Sequence, residues 1–159
     1  MADKATGSMS ASVFQDEVKA TMSGSSVYEP KDSNDKWLFA EVAVGNSSAD
    51  LIADRDYLGT ADTTVVADDD VAWIAIKNIS STSTDGVGIR IDAGTAAYNS
   101  AGNIYIGSGE MVVLKTYTTP LASIHAISVT MDGTYGYPSA THAGTVSCQI
   151  AAIVDDGGV

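Results

Sequence analysis

The sequence predicts an all-β protein: an antiparallel β-sandwich or jelly roll of about eight to nine strands, preceded by an N-terminal arm. Valine, isoleucine and threonine total 42 residues, whereas leucine, glutamate, lysine, glutamine, arginine and methionine together total 24. The first group fits a pleated sheet and the second favours helices. Sixteen of the 20 acidic residues are aspartate, and there are 15 glycines. Both types favour the tight turns that join short strands.

The chain divides into an arm, residues 1–35, and a β-domain, residues 36–159, which we expect to fold without the arm. With 159 residues and 45% apolar content, the chain is long enough for one domain with its own core. The apolar residues of the arm are Val13, Phe14, Val18, Met22, Val27 and Tyr28. Phe14, Val18 and Met22 recur every four residues, which is compatible with one or two helical turns. The arm is either a frayed tail or a segment that orders against a neighbouring subunit through these six residues.

The strand pattern begins at residue 36 and continues to residue 154. The segments that predict strands are 36–44, 50–57, 63–66, 71–79, 87–91, 103–106, 110–117, 123–131 and 145–154, of which 50–57 and 63–66 are the weakest. Apolar residues alternate in 36–44, 87–91 and 145–154, so one face of each is expected to lie in a core. Residues 71–79 are apolar on both faces, as in a strand buried on both sides. Gly107-Ser108-Gly109 is typical of a three-residue hairpin turn.

Composition and motifs exclude several classes of function. The net charge of −12 leaves no basic stripe for nucleic acid. No window approaches the roughly 18 apolar residues of a membrane span, and no basic-then-apolar leader opens the chain. Neither a nucleophile elbow nor a phosphate-binding glycine loop is present. The sequence therefore predicts a non-enzyme that needs no cofactor and binds neither nucleic acid nor membrane.

The titratable residues each have a structural interpretation that we favour over a functional one. Asp68-Asp69-Asp70, with Asp54 and Asp56 nearby, is expected to form a solvated turn, although a calcium ion near Asp54, Asp56 or Asp68 stays open. His125 alternates in step with apolar residues, which predicts a hydrogen-bonded core histidine. Cys148 lies on the apolar face of the last strand, which predicts an inert, buried thiol.

The segment 132–144 is the strongest candidate for a binding loop. It places Tyr135, Tyr137 and His142 among three glycines. Tyrosine on a loop offers a large amphipathic contact surface at low entropic cost. Two interpretations stay open, a protein-interaction loop and a plain surface loop whose tyrosines pack on the end of the domain.

Several short segments make the chain resemble a known kind of protein by their order and spacing. They are Ser12-Val13-Phe14, Lys36-Trp37, Ile74-Ala75-Ile76-Lys77-Asn78, Ile106-Gly107-Ser108-Gly109-Glu110, Leu114-Lys115, Ile124-His125-Ala126 and Ala151-Ala152-Ile153-Val154-Asp155-Asp156. With these segments the chain resembles the small virion structural proteins of tailed phages, of the type found in marine and cyanobacterial phages. The resemblance implies a non-enzymatic component of the particle with a jelly-roll-like domain, and it carries over no functional residue.

Two functions follow as expectations. The first is a capsid decoration or cement protein that braces neighbouring shell subunits, contacts the major capsid protein or copies of itself, and forms a homo-oligomer on the capsid surface after assembly in the host cytoplasm. The alternative is a carbohydrate-binding or adhesion module on a tail or cell surface. A sugar site on a sandwich needs two or three exposed aromatic residues in a row, or an ordered calcium ion, and these features separate the two expectations.

Overall fold

The computed structural model describes residues 4–15, 18–30, 35–51, 57–58, 70–91, 96–99, 102–118 and 124–155. In these ranges the ordered elements are all β-strands, and every strand pair is antiparallel. The predicted all-β fold class is confirmed. The predicted strand 63–66 lies outside the described residues. The described part of the chain contains no helix of the length and hydropathy needed to cross a membrane.

The described residues form twelve strands. They are β1 Ala5–Gln15, β2 Val18–Tyr28, β3 Lys36–Val44, β4 Ala49–Asp50, β5 Tyr57–Leu58, β6 Asp70–Asn78, β7 Asp85–Ile91, β8 Ile104–Ile106, β9 Met111–Thr118, β10 Ile124–Met131, β11 Pro138–Thr141 and β12 Val146–Asp155. The long strands of the domain match the predicted segments closely. The short strands β4, β5 and β11 were not separately predicted, because two to four residues are too few to show an alternating pattern.

The strands form three sheets. The front sheet has the order β5-β3-β12-β6-β9, and the back sheet has the order β11-β10-β7-β8, with β4 also paired to β10. β1 and β2 make a separate two-stranded sheet, the hairpin. The long strands β3, β12 and β6 lie side by side in the middle of the front sheet. The last strand of the chain therefore pairs with two strands that are far from it in the sequence.

One hydrophobic core draws on both the front and the back sheet. The front sheet contributes buried residues that include Leu38, Ile74, Ile76, Cys148 and Ile150, and the back sheet contributes Val87, Ile89, Ile106 and Ile124. Val146, Cys148, Ile150, Ala152 and Val154, which were predicted to share the core face of the last strand, are all buried in this cluster. The alternation in the sequence therefore identified the inner face of the front sheet correctly.

The outer face of the front sheet is also apolar, and the base of the hairpin covers part of it. Ala5 of β1 is buried there together with Trp73 and Ile153, and Tyr28 of β2 packs against the same cluster. A Cβ atom at Gly7 would lie 2.7 Å from Cγ1 of Val113, so only glycine permits this close approach. Residues 71–74 are therefore buried on both sides, as predicted, because the hairpin supplies the second side, whereas Lys77 further along the same strand is exposed.

The back sheet carries a second small core on its outer face. Ile127, Val129 and Met131 are buried there with Ala96. Cβ atoms at Gly86 and Gly88 would lie 2.4 Å from Cγ of Met131 and 3.1 Å from Cε1 of Tyr105 respectively. Gly88, predicted to face outward, is thus buried, because neighbouring side chains fold over the glycines of β7. His125 begins the same row on β10 but is only half-buried, so it is not the enclosed core histidine that was expected.

The predicted turn at Gly107-Ser108-Gly109 is present, but the prediction that it closes a hairpin is wrong. Gly109 has φ +76°, and the Glu110 amide donates to the Gly107 carbonyl over 3.1 Å. β8 pairs with β7 in the back sheet, whereas β9 pairs with β6 in the front sheet. The turn crosses between sheets because Gly109 and Glu110 exchange backbone hydrogen bonds with Asn78 at the end of β6.

The helical turns suggested by Phe14, Val18 and Met22 are also wrong. The segment forms a hairpin in continuous register, in which Ala5 pairs with Tyr28 and Gln15 pairs with Val18. The serines and threonines of the segment alternate with apolar and small residues at a period of two, which favours strands over a helix. Three apolar residues at a spacing of four were a weaker signal than this alternation.

Candidate interaction surfaces

Two connections, β6–β7 and β8–β9, meet at one end of the domain around the side chain of Asn78. Asn78 is fully buried, and its Nδ2 donates to the carbonyl oxygens of Asp85 and Ile106 over 3.0 and 3.5 Å. Its Oδ1 accepts from the Ser80 amide at 2.9 Å. Ser108 Oγ donates to the Ser80 carbonyl at 2.7 Å, which ties the Gly107–Glu110 turn to the same point. These connections therefore hold each other in place at the end of the domain. They provide a fixed support for the neighbouring loop between β10 and β11.

The loop between β10 and β11 is fixed by its own hydrogen bonds. The carboxylate Oδ1 of Asp132 accepts from the amides of Thr134 and Tyr135 at 2.9 and 2.8 Å. The Asp132 backbone closes the loop, because its amide donates to the Tyr137 carbonyl and its carbonyl accepts from the Gly136 amide. Gly136 has φ +69°, a backbone conformation that favours glycine. The loop is thus pre-organised, so it would lose little conformational entropy on binding.

Two tyrosine rings stand on this loop in contact with each other. Tyr135 is 76% and Tyr137 53% exposed, and their ring centroids lie 6.0 Å apart with an interplanar angle of 15°. Of the two interpretations of the loop, this geometry favours the one in which the rings are displayed. A paired aromatic surface of this kind suits a protein partner or the apolar face of a sugar ring.

His142, which follows β11 in the chain, contacts the start of β7. Its Nε2 lies 3.3 Å from Oδ1 of Asp85, and its Nδ1 accepts from the Gly144 amide at 3.0 Å. Because Nδ1 accepts, the ring proton lies on Nε2 and points at the carboxylate. Ser80 Oγ donates to the other oxygen of Asp85 at 2.6 Å. The aspartate thus separates the serine from the histidine, so this trio lacks the serine–histidine contact that nucleophilic catalysis requires.

The hairpin is the second candidate surface, since its two faces differ in chemistry. On one face the residues with described side chains are Ala5, Gly7, Met9, Ala11, Met22, Gly24, Ser26 and Tyr28. On the other they are Thr6, Ser8, Ser10, Ser12, Thr21, Ser23, Ser25 and Val27. The ribbon therefore has an apolar face and a hydroxyl-rich face, as alternation along paired strands dictates.

Among the described residues, only the base of the apolar face has a partner. Ala5 and Tyr28 pack on the front sheet, whereas Met9 and Met22, further along the same face, are 49% and 61% exposed. Of the six predicted arm contacts, Met22 and Val27 are exposed and Tyr28 is half-buried at the base. The side chains of Val13, Phe14 and Val18 lie outside the described part of the structure. The sequence did not predict that apolar residues of β1 and β2 share one face of a hairpin. That arrangement depends on the register of the two strands over the whole segment.

The predicted acidic cluster cannot be assessed from the described residues. Asp54, Asp56, Asp68 and Asp69 lie outside them, as does the side chain of Asp70. Among the residues that the structure does describe, no group of three potential ligands surrounds a common point.

Cys148 is buried at the centre of the front sheet, and burial raises the pKa of its thiol to about 12. Because the thiolate is the reactive form, we expect no labelling of the folded protein by a disulfide reagent at pH 8, and full labelling of one thiol once the protein is unfolded. The measurement is a thiol titration with and without denaturant. Rapid labelling of the folded protein would show that β12 opens readily.

Comparisons with family models, with curated proteins and with solved structures find no match for this chain.

Proposed function

We propose that this protein is a non-enzymatic structural component of a phage virion that decorates the capsid and bridges neighbouring shell subunits. The observation that carries the proposal is the hairpin, whose apolar face is covered at its base and exposed at Met9 and Met22. A two-stranded hairpin is marginally stable in water by itself, so an exposed apolar face on one favours docking against a further surface. In this proposal the surface is that of the major capsid protein.

We further propose that the domain is a jelly roll, on the basis of its strand order. Without the hairpin and the short strands β5 and β11, eight strands are left in the described chain. The first, last, third and sixth of these form the path β3-β12-β6-β9 in the front sheet. The second, seventh, fourth and fifth form β4-β10-β7-β8 in the back sheet. This exchange of strands between two sheets is the pattern of a double Greek key.

The charge of the chain supports a place on the outside of the particle. A net charge of −12 keeps a surface-mounted protein soluble and repels nucleic acid. The phage setting and assembly in the host cytoplasm come from the resemblance in short segments. The direct test is labelling of purified virions with an antibody against the chain, viewed by electron microscopy. Label on the capsid surface supports the proposal, label confined to tails favours the alternative, and no label on any particle overturns the virion role.

A pair of substitutions tests the role of the hairpin face. Met9→Ser with Met22→Ser removes exposed apolar side chains that docking would bury, and we expect at least about tenfold weaker attachment to shells of the major capsid protein. The thermal midpoint should stay unchanged, because both side chains are largely exposed. Met111→Ser, which alters a methionine that is 42% exposed on β9, is the matched control. If the unaltered chain, the variant at Met9 and Met22 and the variant at Met111 all attach equally well, the hairpin face is not part of the interface.

The alternative function, carbohydrate binding or adhesion, is favoured by one observation, the displayed tyrosine pair. A sugar site needs adjacent exposed aromatic rings, and Tyr135 and Tyr137 provide them. Trp73 does not, because it is buried. Under this alternative, Tyr135→Ala with Tyr137→Ala abolishes binding to glycans or to the host cell surface. Under the decoration proposal, the same variant loses a protein contact and no glycan binding is found with either protein.

A further inference from the structure

The hairpin leaves a long backbone edge unprotected. In the described residues β1 pairs only with β2, so the outer edge of this eleven-residue strand carries backbone N–H and C=O groups without a strand partner. Proteins normally protect such an edge with lysine, proline or a bulge. β1 contains no charged residue and no proline, and its register with β2 is continuous. β2 contains one charged residue, Lys19.

This lack of charge is local to the hairpin. The whole chain has 20 acidic and 8 basic residues, and one of them falls within β1 or β2. The residues that would discourage edge-to-edge pairing are therefore absent from the strand whose edge is open.

We propose that the β1 edge pairs in antiparallel fashion with the β1 edge of a second copy of this chain. Two hairpins would then form one four-stranded sheet about a two-fold axis, in which each copy supplies the same surface. A second copy fits better than a charged partner, because the β1 edge offers backbone hydrogen bonds and no charge to complement. It also brings an open edge of the same length and the same neutral composition.

The acidic domains do not prevent this pairing. Eleven residues of extended strand reach roughly 37 Å, and the Debye length at physiological salt is about 8 Å. The charges of two domains held apart by paired hairpins are therefore largely screened from each other, and added salt should not weaken the association. The apolar face of the hairpin stays available, since pairing uses the edge of the ribbon and docking uses a face.

The inference rests on the proposed function only in that the virion is the place where copies of the chain would meet. Its test uses the purified chain without capsid shells. Sedimentation velocity of the full chain over a range of protein concentrations should show a monomer–dimer equilibrium that added salt does not weaken. A protein that is monomeric at every concentration overturns the proposal. A dimer that salt dissociates also overturns it, because that result indicates pairing through opposite charges.

Lysine substitutions then locate the contact. Ser10→Lys with Ser12→Lys places charges on exposed positions of β1, where they would face like charges across the two-fold axis. We expect the dimer dissociation constant to rise at least tenfold with no change in thermal midpoint. Ser81→Lys, an exposed position in the β6–β7 connection, is the matched control and should leave the equilibrium unchanged. If the variant with Ser10→Lys and Ser12→Lys dimerises as strongly as the unaltered chain, the β1 edge is not the dimer contact.

The two proposals fail in different ways. A chain that dimerises through β1 but labels no particle keeps the edge pairing and loses the virion role. A chain that labels capsids and stays monomeric in solution loses the edge pairing and keeps the virion role.

Discussion

Asn78→Ala should lower the free energy of unfolding by roughly 3–4 kcal/mol, since the substitution removes the side-chain partner of three buried or partly buried backbone groups at about 1–3 kcal/mol each. The affected groups are the carbonyls of Asp85 and Ile106 and the amide of Ser80. They belong to the connections that meet at the end of the domain. For a domain of this size such a loss lowers the thermal midpoint by on the order of 10 °C.

A second variant at Asn78 separates the loss of hydrogen bonds from the loss of volume. Asn78→Asp keeps the shape and the acceptor for the Ser80 amide but places an oxygen opposite the Asp85 and Ile106 carbonyls. We expect it to destabilise the fold at least as much as Asn78→Ala. Asn46→Ala, at an exposed position, is the control and should change stability by less than about 0.5 kcal/mol. A small effect at Asn78 would mean that the loops hold themselves without it.

Deletion of residues 1–30 should leave a folded but weakened domain. Among the described residues, the two cores on either side of the back sheet include none from the hairpin, so the β-domain should still unfold cooperatively. The deletion exposes Trp73 and Ile153 on the front sheet, however, and removes the burial of Ala5 and Tyr28. At about 25 cal/mol per Å² of apolar surface, the loss is roughly 2–3 kcal/mol, which calorimetry measures as a lower thermal midpoint.

Tryptophan fluorescence reports the same change directly, because Trp37 and Trp73 are the two tryptophans and both border the hairpin base. The emission maximum should move to the red in the deletion. The control is a short hairpin in which Asn-Gly replaces residues 10–23, so that Met9 and Gly24 flank the new turn as Gln15 and Val18 flank the present one. This control should keep the emission and the midpoint. An unchanged midpoint in the full deletion would restore the arm as an independent tail, and complete unfolding would place the domain boundary elsewhere.

The sequence alone determined the fold class, the long strands of the domain and the inward face of the front sheet. These features follow from local rules: β-branched residues favour strands, and alternation assigns Leu38, Cys148 and Ile150 to one side. The buried thiol of Cys148 followed from the same alternation. The loop with Tyr135 and Tyr137 was singled out by residue type, since tyrosine on a loop offers a large amphipathic contact surface.

The tertiary structure alone decided which strands pair and what covers the second face of the front sheet. Gly107-Ser108-Gly109 has the composition of a hairpin turn, yet the bonds of Asn78 direct β9 to β6 in the other sheet. Likewise the arm became a hairpin because residues as distant as Ala5 and Tyr28 pair and together pack on Trp73. Pairing and docking depend on contacts between residues far apart in the chain, and a pattern read within one segment contains no information about the partner of that segment.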